Sequence, residues 1–389
     1  MSLSRERTPL RVLVAPDSFK GSLPASGVAA SIAAGVRAAI PGVLVTEAPI
    51  ADGGEGSASA IAQGLGGTWQ QVAVRDANGD TIEMPFAACT SPALGSFAVL
   101  DVAEIVGLPA AVAPPGVRST RGVGQAIRAI HARGFTTIAL GLGGSSTNDA
   151  GAGMLAELAF VCRDAAGKEL DPVFDNLLQV QSVERRPGAE WLAGLRLIGL
   201  TDVTSPLNGP EGASMIFGGQ KGYGDLARAD DVLAHFARRC TELLGEDLSE
   251  AAGAGAAGGL GFAVTVVGGS LRPGAQFVLE AHRLTPGAVD YDWIITGEGR
   301  SDGQTLLGKG PAMVARLARD SGIPVTLLSG AVELDPALEA AFDGCFSIQP
   351  GPVSLDYAMR NAEMLLERAG RQVAALFDKA SCRQGAGSR

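Results

Sequence analysis

Two hydrophobic patterns alternate along this chain. Short, almost wholly apolar runs, such as RVLVA (11–15), read as buried strands. Stretches whose apolar residues recur every three or four positions, such as GVAASIAAGVRAAI (27–40), read as helices, and this one stops at the turn signal Pro41-Gly42. VLVTEAPI (43–50) predicts a second strand and ASAIAQGL (58–65) a second helix, with ADGGEGS between them. Repeated β-loop-α units predict a doubly wound parallel sheet. The rhythm returns at 292 with DWIITG, a helix over 311–319, IPVTLLSG, CFSIQP and a long amphipathic helix from 354 to about 378.

Between these segments the pattern changes. WQQVAVRDANGDTIEMPFAA (69–88) has two alternating runs around Asn78-Gly79, a hairpin signal. SFAVLDVAEIVGL predicts a strand and a short helix, and STRGVGQAIRAIHARG a helix capped by Ser119 or Thr120. TTIALGLGGSSTNDAGAGMLAELAF is again strand, glycine loop, helix. LRLIGLTDVTSPLNGPEGAS predicts a strand and a long polar loop, and residues 225–245 a helix. The expected organisation is α/β with two domains. Residues 1–68 and 289–380 form one discontinuous parallel-sheet domain, interrupted by a mixed α/β domain over 69–288, and 381–389 is a disordered tail.

Composition narrows the function. The 389 residues are 46% hydrophobic and carry a net charge of −10, which speaks against nucleic acid or an anionic membrane as partner. No apolar run reaches bilayer length and no signal peptide is read at the N-terminus. The five scattered cysteines contain no C-x-x-C and fit a reduced, cytoplasmic compartment; three distant histidines make a His-centred triad or zinc site a poor expectation. Of the 31 basic residues only five are lysine, and Lys20, Lys221 and Lys309 each precede a glycine. A compact ammonium beside open backbone suits a phosphate.

The loops carry the candidate chemistry. In TGEGRSDGQTLLGKG (296–310), Gly303–Gly310 reads G-x-x-x-x-G-K-G, a phosphate loop lacking its usual Ser or Thr. Gly297 and Gly299 let backbone N–H groups approach an anion, Lys309 adds charge, and Glu298 and Asp302 would repel phosphate unless Mg²⁺ stands between. PDSFKGS offers the Ser18 hydroxyl and Lys20; ADGGEG places Asp52 and Glu55 about Gly53-Gly54, where a cation or shared proton is expected. GLGGSSTNDAG supplies Ser145, Asn148 and Asp149, more polar groups than one cap needs; Asp149 is the first expected base and Asp202, in LTDVTSPLNG, the second. GAGAAGG (253–259) satisfies G-x-G-x-x-G without a preceding strand, which reads better as a packing turn than as a dinucleotide fingerprint.

Taken together and in this order, these motifs resemble the bacterial glycerate kinase family over residues 11 to 377. The resemblance implies a flavodoxin/Rossmann-like domain interrupted by a second α/β domain, and an ATP- and Mg²⁺-dependent phosphorylation of D-glycerate, commonly at the 2-hydroxyl. Carried over residue by residue, it points to Asp17, Ser18, Lys20, Asp52, Glu55, Ser145, Asn148, Asp149, Asp202, Asn208, Glu298, Asp302, Gln304 and Lys309. Asp149, Asp202, Lys20 and Asn148 are then expected in catalysis, with Ser18, Gly297, Gly299, Gln304, Lys309 and Ser145 at the nucleotide. Asp52, Glu55, Glu298 and Asp302 are expected at the metal. Small-molecule substrates and room for a homodimer complete the picture. The competing expectations are glycerate 3-kinase specificity, an NAD(P)-dependent hydroxy-acid oxidoreductase, and a non-catalytic sensor of a phosphorylated metabolite.

Overall fold

The structure, a computed structural model, describes residues 9–387 except 307 and 309, with backbone alone over 381–387. The chain divides into two compact units: residues to Ala51 together with those from Val278, and Asp52–Phe277.

The first unit is built on a five-stranded, wholly parallel sheet. Its strands are Arg11–Val14, Leu44–Glu47, Trp293–Thr296, Val325–Ser329 and Gly344–Ser347. Counted in chain order they lie 2-1-3-4-5, the flavodoxin-like arrangement. The centre of the sheet therefore joins distant sequence: Val12 pairs with Trp293 and Val14 with Ile295. The uninterrupted apolar strands are buried because helices cover them; Val12, Val14, Val28, Ile32, Val36, Trp293 and Ile295 share one core with Leu365 and Leu366. Trp293 stacks on Phe377 with ring centroids 4.4 Å apart and donates its indole N–H to Thr326 Oγ1 at 3.0 Å, so a large apolar ring is buried without stranding its polar atom.

The second unit holds a six-stranded mixed sheet, in the order Ser270–Arg272, Arg196–Leu200, Thr137–Gly141, Gly95–Asp101, Thr81–Ser91, Thr68–Arg75. The first four run parallel and the last two pair antiparallel. Asn78-Gly79 makes the expected hairpin, with Gly79 at φ +95° and the Asp76 carboxylate accepting from the N–H of Asn78 and of Asp80.

Four details depart from the sequence reading. Residues 52–68, expected with the first unit, group with the second, because helix Ser57–Leu65 packs against strands Thr81–Ser91 and Gly95–Asp101. Residues 278–288, expected with the insert, group with the first unit. The amphipathic segment from 354 is two helices, Leu355–Arg360 and Ala362–Gly387. The second runs on into the stretch expected as a disordered tail. Among the described residues no helix is long and apolar enough to cross a membrane.

Candidate active site

In an open α/β sheet, ligands bind beyond the carboxyl ends of the strands where strand order reverses. In the first unit that point lies between strands Arg11–Val14 and Trp293–Thr296. The two loops leaving these strands are knitted together. Asp17 N–H donates to Gly297 O at 2.8 Å, Thr296 Oγ1 donates to Ala15 O at 2.7 Å, and the Asp17 carboxylate accepts from Ser18 N–H at 2.5 Å. The sequence places Asp17, Ser18, Gly297 and Gly299 at this edge, and the structure brings them together; Lys20 is exposed beside Gly299, whose added Cβ would lie 3.6 Å from Lys20 N.

Two hydroxyls hold the Glu298 carboxylate. Its Oε1 accepts from Thr305 Oγ1 at 2.6 Å and Ser301 Oγ at 3.3 Å, and Ser301 Oγ in turn meets Ser329 Oγ at 2.8 Å. Asp302 Oδ1 accepts from Gln304 N–H at 2.8 Å, and the short helix Gly303–Leu306 turns the chain toward helix Gly310–Ser321. Glu298 and Asp302 both remain partly exposed, and Gln304 is exposed. Arg300 pairs with Glu333, so its charge is matched within the surface. Lys309 lies outside the described residues.

In the second unit the carboxyl edge is made of interlocking turns. Gly143 packs against Gly54 so closely that a Cβ there would stand 2.3 Å from Gly54 Cα; a Cβ on Gly53, which sits at φ +88°, would stand 2.7 Å from Leu200 O. Asp52 caps its own turn, accepting from Gly54 N–H at 3.1 Å, and stays partly exposed, while Glu55 is exposed. Asp101, unremarked in the sequence, holds the same loop from below: its oxygens accept from Gly56 N–H at 2.8 Å and Ala58 N–H at 3.0 Å. Burial raises its carboxyl to about 7 despite those two donors.

Asp202 is also engaged. Its two oxygens accept from Gly274 N–H at 3.0 Å and Ala275 N–H at 3.1 Å at the start of helix Gly274–Ala281. Burial and the nearby Asp52 raise it to about 6, against the pull of the two amides. It remains partly exposed.

Asp149 departs furthest from expectation. It has no exposed surface, and its carboxylate accepts from Thr120 N–H at 3.0 Å, Thr120 Oγ1 at 2.8 Å, Gly151 N–H at 3.1 Å and Gly153 N–H at 3.3 Å. Burial pushes its carboxyl up while all four donors oppose the shift. A carboxylate so placed shapes its loop and presents no oxygen to a substrate hydroxyl, contrary to its expected place as first base. Asn148 is equally buried and donates to Ser214 Oγ at 2.9 Å. Ser145, 5% exposed, accepts from Lys221 Nζ at 3.0 Å. Sequence reasoning noticed Lys221 as one of the rare lysines and Thr120 as a possible helix cap, but missed Arg118 and Asp101. The available signal for Asp101 was a lone acid closing an otherwise apolar strand.

GAGAAGG is a packing turn, as the missing strand implied. Gly258 O accepts from Ala150 N–H at 3.0 Å, and a Cβ on Gly258 would stand 2.0 Å from Thr147 O. It supports the loop of Asp149 and leaves no space at Gly258 for a dinucleotide.

Among the described residues no three His, Cys, Asp or Glu side chains gather into a metal cage. The acids expected at a metal lie in two loops, Glu298 with Asp302 in the first unit and Asp52 with Glu55 in the second.

The first unit's parallel sheet and the second unit's mixed sheet, each with acid- and glycine-bearing loops at its carboxyl edge, define a two-unit α/β protein. The glycerate kinase family model matches residues 12–378. The chain is 36% identical to a glycerate kinase of Bacillus subtilis (strain 168), over 94% of this chain and 97% of that one. It is 34% identical to a glycerate 2-kinase of Escherichia coli (strain K12), over 94% and 97% of the two chains. A crystal structure from Salmonella typhimurium LT2, assigned as a glycerate kinase 2, superposes with a TM-score of 0.81 at 33% identity, covering 96% of this chain and all of that one. This chain belongs to the glycerate kinase family and is a kinase that phosphorylates glycerate.

Proposed function

We propose that the chain transfers the γ-phosphoryl group of ATP, with Mg²⁺, to the 2-hydroxyl of D-glycerate, giving 2-phospho-D-glycerate and ADP, as a cytoplasmic enzyme acting on small molecules. The observation that carries the nucleotide half is the position of the Asp17–Ser18 and Gly297–Glu298 loops at the strand-order reversal of a parallel sheet, joined by the hydrogen bond from Asp17 N–H to Gly297 O. The choice of the 2-hydroxyl is supported by the relative named a glycerate 2-kinase.

In this reading the backbone N–H groups of Gly297 and Gly299, with Ser18, Gln304, Lys20 and Lys309, hold phosphate oxygens. Glu298 and Asp302 hold the metal on the nucleotide. Asp52 and Glu55 form a second carboxylate pair in the second unit. When bound, Mg²⁺ neutralises charge on the phosphates. Phosphoryl transfer passes through a loose transition state in which positioning and charge neutralisation matter more than proton abstraction. Asp149's engagement therefore takes little from the proposal. Asp202, partly exposed and with its proton held more firmly than usual, takes the first place as acceptor of the substrate proton.

Incubation with ATP, Mg²⁺ and D-glycerate followed by proton-coupled ³¹P spectroscopy tests this. An ester at C2 has one vicinal hydrogen on its carbon and gives a doublet. An ester at C3 has two and gives a triplet, which would overturn the position. No glycerate-dependent ADP would overturn the activity.

A further inference from the structure

The second unit buries two cations beneath the Gly143–Asn148 loop, and among the described residues neither is paired with an acid. Lys221, 4% exposed, donates from Nζ to Ser145 Oγ at 3.0 Å and to Thr147 O at 2.7 Å. Arg118, 8% exposed, donates to Ala113 O at 2.8 Å, Ser146 O at 3.3 Å and Lys221 O at 2.9 Å. Every one of these acceptors is neutral, and among the described residues neither cation makes a salt bridge. Asp149 acts on Lys221 through space, but its oxygens are taken by the four donors named above, and Asp175 joins it only at the neighbouring Tyr223. Two buried cations hydrogen-bonded to neutral oxygens carry positive charge under the loop where water is excluded. Such charge is expensive unless an anion completes it. The hydrogen bonding also fixes a direction: Ser145 Oγ accepts from Nζ, so its own proton points elsewhere and is available to donate. Thr147 Oγ1, in the same loop, is buried without a hydrogen-bond partner among the described residues.

We propose that this loop is an anion site charged from beneath by Lys221 and Arg118, in which Ser145 donates to a substrate oxyanion and Lys221 acts as the positioning residue behind it. The oxyanion is a carboxylate oxygen of glycerate or a phosphate oxygen of the nucleotide; its identity rests on the kinase reading, the site itself on the buried charges. Burial lowers the Lys221 ammonium to about 7; Asp149 opposes this and Arg118 adds to it. The Tyr223 phenol is pushed well above its usual range by burial, with Asp149 and Asp175 adding to the shift and Arg118 opposing it, and stays neutral. The ammonium is therefore complete below neutrality and is lost as pH rises through about 7, taking part of the loop's attraction for anions with it. A bound anion stabilises the ammonium and moves that loss upward.

The test is steady-state kinetics from pH 6 to 9 with ATP and D-glycerate varied in turn. The KM for one substrate is expected to rise about tenfold across the window while the other stays level, and the one that moves identifies the oxyanion. Lys221→Arg keeps its charge throughout and should flatten that rise; any titration of the nucleotide itself is common to both proteins and cancels. Lys221→Met should raise the same KM about ten- to hundredfold at pH 6.5 with a smaller change in kcat. If that variant does not fold, Ser145→Ala must raise the same KM. Level KM values in the parent, or a Lys221→Met or Ser145→Ala protein with both KM values unchanged, would overturn the anion site. Absence of ADP release would instead sink the kinase reading. Calorimetric binding of ATP and of D-glycerate over the same pH range would then decide the loop independently.

Discussion

The loops at 297–306 and 141–153 look alike in sequence: each leaves a buried strand and gathers glycine, hydroxyl and acid. They differ in what the acid's oxygens are for. Glu298 leans on the hydroxyls of Thr305 and Ser301 and keeps part of its surface open. Asp149 spends its carboxylate on three backbone N–H groups and one hydroxyl and has no surface at all. The first arrangement leaves carboxylate surface exposed, as the proposed metal role requires, whereas the second fixes a backbone. Residue type at the end of a strand therefore does not by itself distinguish a ligand from a keystone; the destination of the neighbouring amides does.

The largest expected effect comes from removing the keystone. Asp149→Ala would strand four buried donors, and with each stranded group costing about 1–3 kcal/mol, non-additively, a stability loss of about 3–5 kcal/mol is expected. Urea unfolding followed by circular dichroism measures it. If the variant kept parental stability and lost only turnover, Asp149 would act in the chemistry and the contrast between the loops would collapse.

The ligand side gives the next effect. Glu298→Gln keeps an acceptor for Thr305 and Ser301 but removes the charge. Turnover should fall about a hundredfold, equivalent to about 2.7 kcal/mol of barrier, with the unfolding midpoint unchanged. The concentration of Mg²⁺ needed for half-maximal rate should rise. A normal Mg²⁺ dependence would remove Glu298 from the metal.

Most of the fold was legible because the signals are local. RVLVA and DWIITG announce buried strands, and Asn78-Gly79 announces a hairpin. Which strand lies beside which was not local: Val12 finds Trp293 across the whole insert, and only topology places both loops at one edge. The boundary near residue 52 was hidden for the same reason. Helix Ser57–Leu65 continues the βα rhythm of the first unit yet packs on strands that come later in the chain. The site was legible as a set of loops and not as roles. Asp101 and Asp202 hold amides contributed by segments 43 to 73 positions away. Lys221 reaches Ser145 across 76. No spacing rule within a motif reports such partners.

Asp202 gives the smallest and most pointed test, because it stands between the two kinds of acid: partly exposed like Glu298, yet bonded to two amides like Asp149. Its folded carboxyl lies at about 6, above the unfolded value of about 3.9. Between these values the folded chain holds a proton that the unfolded chain has released, so stability falls as pH rises from about 4 to 6 and is level above. Full linkage over two pH units would approach 3 kcal/mol, but solvent screening at a partly exposed group reduces the expectation to about 1 kcal/mol. Asp202→Asn cannot ionise. Its amide can still accept from Gly274 N–H, and whatever it loses against Ala275 N–H is the same at every pH. The difference in unfolding free energy between parent and variant should therefore shrink by about 1 kcal/mol from pH 4 to pH 6, read from paired urea titrations. A difference that does not change with pH would show that the two amides outweigh burial and Asp52, leaving Asp202 fully ionised and a backbone anchor of the same kind as Asp149.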